Sequence, residues 1–196
     1  MKKLISFISV VLFSVSANAT LISIELDKAS YEVGDTITAE VVAKGSAAFG
    51  FGNLIGSFEL DILSDDALVS HTGTTFGDKL NMGDPLFWIF GYQNESSTPG
   101  KLELNELSDL FEFDLISLQS GLSEFTLATI TFTADKAGSG AFSFINSVVG
   151  DALGTPLLAQ FQDASFTIEN KSVVPEPSTL ALFSALGFLL LRRKVK

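Results

Sequence analysis

The sequence predicts an all-β protein, an antiparallel β-sandwich with about 7–9 strands. Short runs of alternating apolar and polar residues recur through the middle of the chain, and turn residues separate them. A long stripe of apolar residues at helical spacing is absent from this region. With no cysteine, the fold depends on apolar burial, for which 18 phenylalanines are available.

Residues 1–19 are predicted to be a secretory signal peptide that forms a helix and is removed. Lys2 and Lys3 give the positive start, and an apolar stretch runs from Leu4 to Val15. The small residues of Ala17-Asn18-Ala19 form a cleavage signature, so the mature chain is expected to begin near Thr20.

Residues 20–170 are predicted to form the sandwich itself. Seven runs show the period-two alternation of half-buried strands: Ser23–Leu26, Thr36–Val41, Ser57–Ile62, Phe111–Leu115, Thr126–Phe132, Ala141–Ile145 and Ala164–Ile168. The one segment expected to form a short helical turn is Leu102–Leu110.

Three segments of this region, in this order, resemble the cohesin module. They are DKASYEVGDTITAEVV from Asp27, GSFELDILSDDALVS from Gly56 and FTLATITFTADKAGSGAFSF from Phe125. Cohesin-like modules often carry Tyr-Asp-Pro where this chain has Ser64-Asp65-Asp66, so the turn there is expected to differ. The resemblance implies a nine-stranded jelly-roll sandwich, in the broad group that includes carbohydrate-binding modules. True cohesins bind dockerins, but that partner is not carried over, because the family's binding face is not a short motif.

The charge of the chain argues against nucleic acid as a partner. Between residues 20 and 173 there are 6 basic and 22 acidic residues, a net charge of −16. Such a surface repels nucleic acid and anionic lipid headgroups and suits a soluble exported protein.

The sequence contains little that indicates catalysis. His71 is the only histidine, and no serine lies in a Gly-x-Ser-x-Gly elbow, so we expect no enzyme. A glycoside hydrolase remains the alternative, because it needs only two facing carboxylates and the chain has many acids. No cofactor is expected. Calcium is the most plausible ion, with Asp65 and Asp66 as its candidate ligands, although no Asp-x-Asp-x-Asp-Gly loop is present.

An aromatic strip is the main candidate for ligand contact. In an extended segment Trp88, Phe90 and Tyr92 lie on one face, as in a stacking platform for sugar rings. Core packing is the other interpretation, because Phe87 and Ile89 make the opposite face apolar too. The glycine-rich loop that carries Phe49 and Phe51 is a further candidate for partner contact.

The C-terminal region is predicted to be a linker, residues 171–179, followed by a sorting tail, residues 180–196. The apolar run Leu180–Leu191 forms a helix too short for the bilayer core, and four basic residues follow it. We therefore expect transient insertion in the inner membrane rather than a permanent transmembrane helix, which is the alternative.

This tail closely resembles the PEP-CTERM sorting signal, whose motif is Val174, Pro175, Glu176, Pro177, Ser178 and Thr179. The resemblance implies processing by an exosortase in a Gram-negative cell, followed by delivery to the cell surface or the extracellular matrix. The leading hypothesis is an exported, non-catalytic binding or structural module that contacts extracellular polysaccharide or surface proteins. A carbohydrate-binding module that uses the aromatic strip is the alternative.

Overall fold

The computed structural model describes residues 20–45, 48–50, 52–81 and 91–171. Two parts of the prediction, the N-terminal signal helix and the C-terminal linker and tail, fall on residues outside these ranges. In the described ranges, no helix is both long and apolar enough to span a membrane.

The chain forms eleven strands and one helix within the described residues. In chain order they are β1 (Thr20–Leu26), β2 (Ser30–Glu32), β3 (Thr36–Lys44), β4 (Ser57–Leu63), β5 (Val69–Phe76), β6 (Tyr92–Thr98), β7 (Lys101–Leu107), α1 (Glu112–Gln119), β8 (Glu124–Ala134), β9 (Gly138–Gly150), β10 (Ala159–Gln162) and β11 (Ala164–Glu169). They build a smaller sheet in the order β10-β1-β3-β8-β5 and a larger sheet in the order β2-β11-β9-β4-β7-β6.

The first and last runs of the sandwich each divide between the two sheets. β1 belongs to the smaller sheet and β2 to the larger, and β10 and β11 divide in the same way. Because β1 pairs with β10, and β2 with β11, these two pairs are parallel, whereas the other pairs are antiparallel. Eleven strands thus arise from nine extended runs, which agrees with the predicted sandwich.

Stacked phenylalanines join the two sheets. Phe132 of the smaller sheet lies 4.5 Å, ring centre to ring centre, from Phe142 of the larger one, which is 4.8 Å from Phe166. All three side chains are buried. Aromatic contacts of this geometry stabilise a core beyond the burial of their area alone, so both sheets depend on one shared core.

Two adjacent predictions were wrong. Leu102–Leu110, expected to include a helical turn, contains most of β7, whose Leu102 and Leu104 alternate into the core. Phe111–Leu115, expected to be a strand, contains the start of α1. Its apparent alternation is misleading, because Phe111 and Phe113 face solvent.

Tertiary contacts explain why α1 is helical. Leu115 and Gln119 lie four residues apart on one helix face, and both are buried. Leu115 packs against Leu54 and Leu110. The Gln119 side chain accepts from the backbone N–H of Ile55 at 2.9 Å and donates to its carbonyl oxygen at 2.7 Å. These contacts close one end of the sandwich.

Candidate functional site

The outer face of the larger sheet carries exposed apolar side chains, and that of the smaller sheet does not. The four exposed large hydrophobic residues on described strands are Tyr92, Leu107, Val148 and Leu63, with 61%, 50%, 39% and 37% of their surface exposed. They lie on β6, β7, β9 and β4, which are neighbours in the larger sheet. Apolar side chains exposed on neighbouring strands often mark an interaction site.

The strand register brings three of these side chains to one end of the face. Tyr92 is paired with Leu107, which is paired with Ser57 on the next strand, and Val148 is paired with Glu59. With Pro156 they line a shallow groove of about 470 Å³. The groove therefore has an apolar lining, with Glu59 and Asn105 as polar neighbours.

The other end of the same face is polar. The Nζ atom of Lys101 lies 2.9 Å from a carboxylate oxygen of Asp61 and 2.6 Å from one of Glu103. The hydrogen bond to Glu103, followed by that to Asp61, raises the pKa of Lys101. Its positive charge is thus already matched by two carboxylates, and the face remains acidic as a whole.

A buried carboxylate lies behind this face. Glu106 on β7 is only 2% exposed. Its Oε1 atom accepts hydrogen bonds from the side-chain amides of Gln93 at 2.7 Å and Asn81 at 3.0 Å, whereas Oε2 has no partner among the described residues. Burial raises the pKa of the Glu106 carboxyl, and the two hydrogen bonds oppose that shift.

The predicted aromatic strip is described only at Tyr92. That residue begins β6 and faces outward, as a ligand contact requires, and Trp88 and Phe90 lie outside the described residues. The strip stays a prediction. The expectation for Phe49 was wrong: its ring is buried, 4.9 Å from Phe125 in an edge-to-face contact, because the loop folds inward at this point. Phe51 lies outside the described residues.

His71 lies on β5, with its ring against Phe132 at a centre-to-centre distance of 5.6 Å. Its Nε2 atom is 3.0 Å from the Thr74 hydroxyl, whereas Nδ1 is 3.6 Å from a Glu95 oxygen, too far for a hydrogen bond. Thr74 lines none of the described cavities. The contacts therefore hold the ring in place without presenting a hydroxyl nucleophile to a substrate.

The two acids that line the apolar groove, Glu59 and Glu106, do not form the facing pair that a glycoside hydrolase needs. They are on opposite faces of the larger sheet, one exposed and one buried, because successive strand residues alternate.

The calcium candidates Asp65 and Asp66 lie in the turn before β5. The Asp65 carboxylate accepts the Ala67 N–H at 2.9 Å, which stabilises the turn. Within the described ranges, no three acidic or histidine side chains cluster as metal ligands would. The geometry thus gives no support to a calcium site at this turn.

Leu107 and Val148 were not predicted from the sequence to lie on the surface. Leu107 lies an odd number of residues after the buried Leu102 and Leu104 on the same strand. Because side chains alternate along a strand, this spacing indicates that Leu107 faces outward. For Val148 the alternation along β9 is interrupted. The pairing of β9 with β4 shifts in register near Asn146, whose φ is 47°.

Comparison with solved structures identifies the fold. The chain resembles a non-cellulosomal cohesin from Archaeoglobus fulgidus, with 14% identity and a TM-score of 0.56 over 77% of this chain and 91% of the other. A type II cohesin domain from the cellulosome of Acetivibrio cellulolyticus has 19% identity and a TM-score of 0.58, over 76% of this chain and 95% of the other. A cohesin from a type I cohesin-dockerin complex of Clostridium thermocellum has 16% identity and a TM-score of 0.57, over 78% of this chain and 100% of the other.

No protein-family model and no curated protein matches the sequence. At these identities the likeness to solved structures shows the fold alone. The described chain therefore has the cohesin fold, a β-sandwich, as the order of its sequence segments predicted.

Proposed function

We propose that this protein is a non-catalytic binding module that holds a protein partner on the outer face of its larger sheet. One observation carries the proposal: the exposed apolar strand residues of the described chain all lie on that face. Solvent-exposed apolar area of this kind is stabilised when a partner covers it. Tyr92 and Leu107 supply the anchors, and the acidic rim favours a partner with basic groups.

The solved structures support a protein as the partner. One of them is a cohesin bound to a dockerin, so this fold can present a protein-binding surface. The acidic charge of the chain makes nucleic acid an unfavourable ligand. A dockerin-like protein is one partner to test, together with other exported proteins of the same cell.

The proposal places this module outside the cell. Residues 1–19 direct export, and an exosortase recognises Pro175, Glu176 and Pro177 before it removes the tail. The product then remains at the cell surface or in the extracellular matrix. Intact-mass measurement of the secreted protein should show loss of residues 180–196, and Glu176→Ala should leave the chain unprocessed in the inner membrane. Full-length protein outside the cell would contradict this part.

The binding proposal is tested by capture with matched variants. The full chain, immobilised, is exposed to exported proteins of its own cell, and captured proteins are compared for wild type, Leu107→Glu and Thr131→Glu. Leu107 is exposed on the larger sheet, and Thr131 faces outward on the smaller one. A partner should be lost with Leu107→Glu alone. Equal capture by all three proteins, with each shown to be folded, would overturn the proposal.

Polysaccharide contact through Trp88, Phe90 and Tyr92 is the second candidate. The outward position and exposure of Tyr92 favour it, because an exposed aromatic ring can stack on a sugar. Retention on the polysaccharide of the same cell is compared for wild type and Trp88→Ala. Unchanged retention would exclude a stacking role for the strip.

A further inference from the structure

A second cavity lies at the opposite end of the larger sheet from the apolar groove. It opens where the β6–β7 hairpin faces the edge strand β5 of the smaller sheet, and it has a volume of about 350 Å³. That size lies within the range of pockets that hold small molecules. Tyr92 and Leu107, the anchors of the protein-binding face, do not line this cavity, although Lys101 of that face does.

The cavity combines an apolar side with a hydroxyl-rich rim. Its apolar residues are Val69, Leu102 and Phe132, which are otherwise part of the core. Four of the described residues that line it carry hydroxyl groups, namely Ser64, Ser70, Ser97 and Thr98, and among the two on β6 it is Ser97 that points inward, as its partner Leu102 does. The first three form no side-chain hydrogen bond to another described residue, so they remain able to donate to and accept from a ligand.

The walls of the cavity are fixed by the fold. The Ser64 N–H donates to the carbonyl oxygen of Gly100 at 3.0 Å, which joins the turn before β5 to the hairpin. Gly100 has a φ of 77°, a value that favours glycine, and it completes the turn after Pro99. His71 is held by Thr74 and Phe132. Binding therefore requires little ordering of the protein, which lowers its free-energy cost.

The charges around the cavity favour an uncharged ligand. Lys101 is the only lysine or arginine among the described residues that line it, and that ammonium group already contacts Asp61 and Glu103. An anion would find no uncompensated positive charge there and would meet Asp66 on the rim. Asp66 is exposed, so water screens both its repulsion of an anion and its attraction for a cation.

We propose that this cavity binds an uncharged sugar ring, with its hydroxyl groups on the serine and threonine rim and its C–H face against the apolar side. The ligand is defined by shared chemistry, a neutral hexose, whether free or linked in a polysaccharide. Ser97 is the residue whose replacement tests this most directly, because it points inward from an edge strand and can be enlarged without disturbing the core.

The test uses the only histidine of the chain as a reporter. His71 lines the cavity, so its imidazole C–H signals in the NMR spectrum of the full chain report on this site alone. At constant pH, D-glucose, D-galactose and D-mannose are added, with glucuronate and glucosamine as anionic and cationic rings of the same size. A saturable shift with at least one neutral hexose is expected, and weaker shifts with both charged rings.

Matched variants on β6 decide whether the cavity is the site. Ser97→Leu removes a hydroxyl group and occupies part of the cavity, and it should lower the affinity about tenfold or more. Ser96→Leu, on the opposite face of the same strand, should leave the affinity unchanged. A methyl glycoside of the bound hexose forms a further arm: binding of the glycoside indicates a chain-linked sugar, and binding of the free sugar alone a soluble one. Absence of a saturable shift, preference for a charged ring, or equal binding by wild type and Ser97→Leu would overturn the proposal.

Discussion

The two sheets share one core but present different outer faces. The smaller sheet is covered with threonine, at positions 36, 38, 72, 75, 129, 131 and 133. These residues pair across strands, as when the Thr72 hydroxyl donates to that of Thr131 at 3.1 Å. The larger sheet instead exposes Tyr92, Leu107 and Val148.

The difference shows that strand formation does not explain the apolar face. Threonine is β-branched and favours strands as valine does, yet its hydroxyl remains hydrated. The smaller sheet demonstrates that this fold is built with a polar outer surface. Exposed apolar residues on the larger sheet are therefore best explained by a contact that the isolated chain does not make.

The largest expected effect comes from the core that supports both faces. Phe142→Ala removes the ring that links the two sheets and should lower the free energy of unfolding by about 3–5 kcal/mol. Both faces should then unfold together in urea, as seen when the NMR signal of His71 on the smaller sheet and circular dichroism give the same midpoint. Separate transitions would show that the sheets are independent units.

The sequence predicts the core better than the surface. Runs such as Ser57–Ile62 alternate because the strand is buried on one side, so the same physical cause produces the pattern and the structure. β6 was not predicted: all seven of its residues are exposed, and without burial no alternation arises. The helix α1 was not predicted because Gln119 and Leu115 contact residues that are distant in the sequence, Ile55 and Leu54 respectively.

The site was predictable to a smaller extent for a related reason. Tyr92 was named from the sequence because an aromatic residue in an extended segment is conspicuous. Leu107 and Val148 are ordinary strand residues whose outward direction depends on the register with β4. The sugar-sized cavity forms where the tip of the β6–β7 hairpin lies next to β5. No local sequence pattern predicts that contact between distant segments.

The second prediction makes the larger sheet resemble the smaller one. A triple variant, Tyr92→Thr, Leu107→Thr and Val148→Thr, replaces the apolar side chains by threonine, a β-branched residue that favours strands. It should elute markedly earlier from a hydrophobic-interaction column, with a change in unfolding free energy of about 1 kcal/mol or less. The control replaces Thr36, Thr38 and Thr131 by serine and should elute with the wild type. Strong destabilisation of the triple variant would mean that these residues serve the fold instead.

The third prediction concerns the carboxylate behind the larger sheet, which has no counterpart in the core behind the smaller one among the described residues. Burial raises the pKa of Glu106 above its ordinary value of 4.5, so the folded protein holds this proton more tightly than the unfolded chain. Stability is then lost as the pH rises from 4.5 through the folded-state pKa, and the loss persists above it.

Glu106→Gln removes that ionisation and retains an oxygen for Gln93 and Asn81. The variant should gain about 1 kcal/mol over wild type at neutral pH, and the gain should shrink as the pH falls through the folded-state pKa towards 4.5. Urea unfolding across this range measures it. Glu59→Gln, at an exposed site on β4, is the control. Its difference from wild type in unfolding free energy should not grow as the pH rises. A gain that is independent of pH would contradict the assigned cause.

The smallest effect is expected where the two faces are most alike. Each has a lysine between two carboxylates: Lys101 with Asp61 and Glu103, and Lys44 with Glu25 and Glu124. The Lys44 hydrogen bond lowers the pKa of Glu25, so the stability that it contributes is present above pH 4.5 and is lost as the pH falls through the folded-state value.

Lys44→Met should therefore lower the urea midpoint only slightly, and less at high salt or low pH, because exposed ion pairs are weak and screened. Lys101→Met should have a similarly small effect on stability, yet it removes the one lysine among the described strand residues of the proposed binding face and leaves Asp61 and Glu103 uncompensated there. A partner with basic groups should then bind the Lys101 variant more tightly, while the Lys44 variant binds as wild type does. Equal responses to the two substitutions would remove the distinction between the faces.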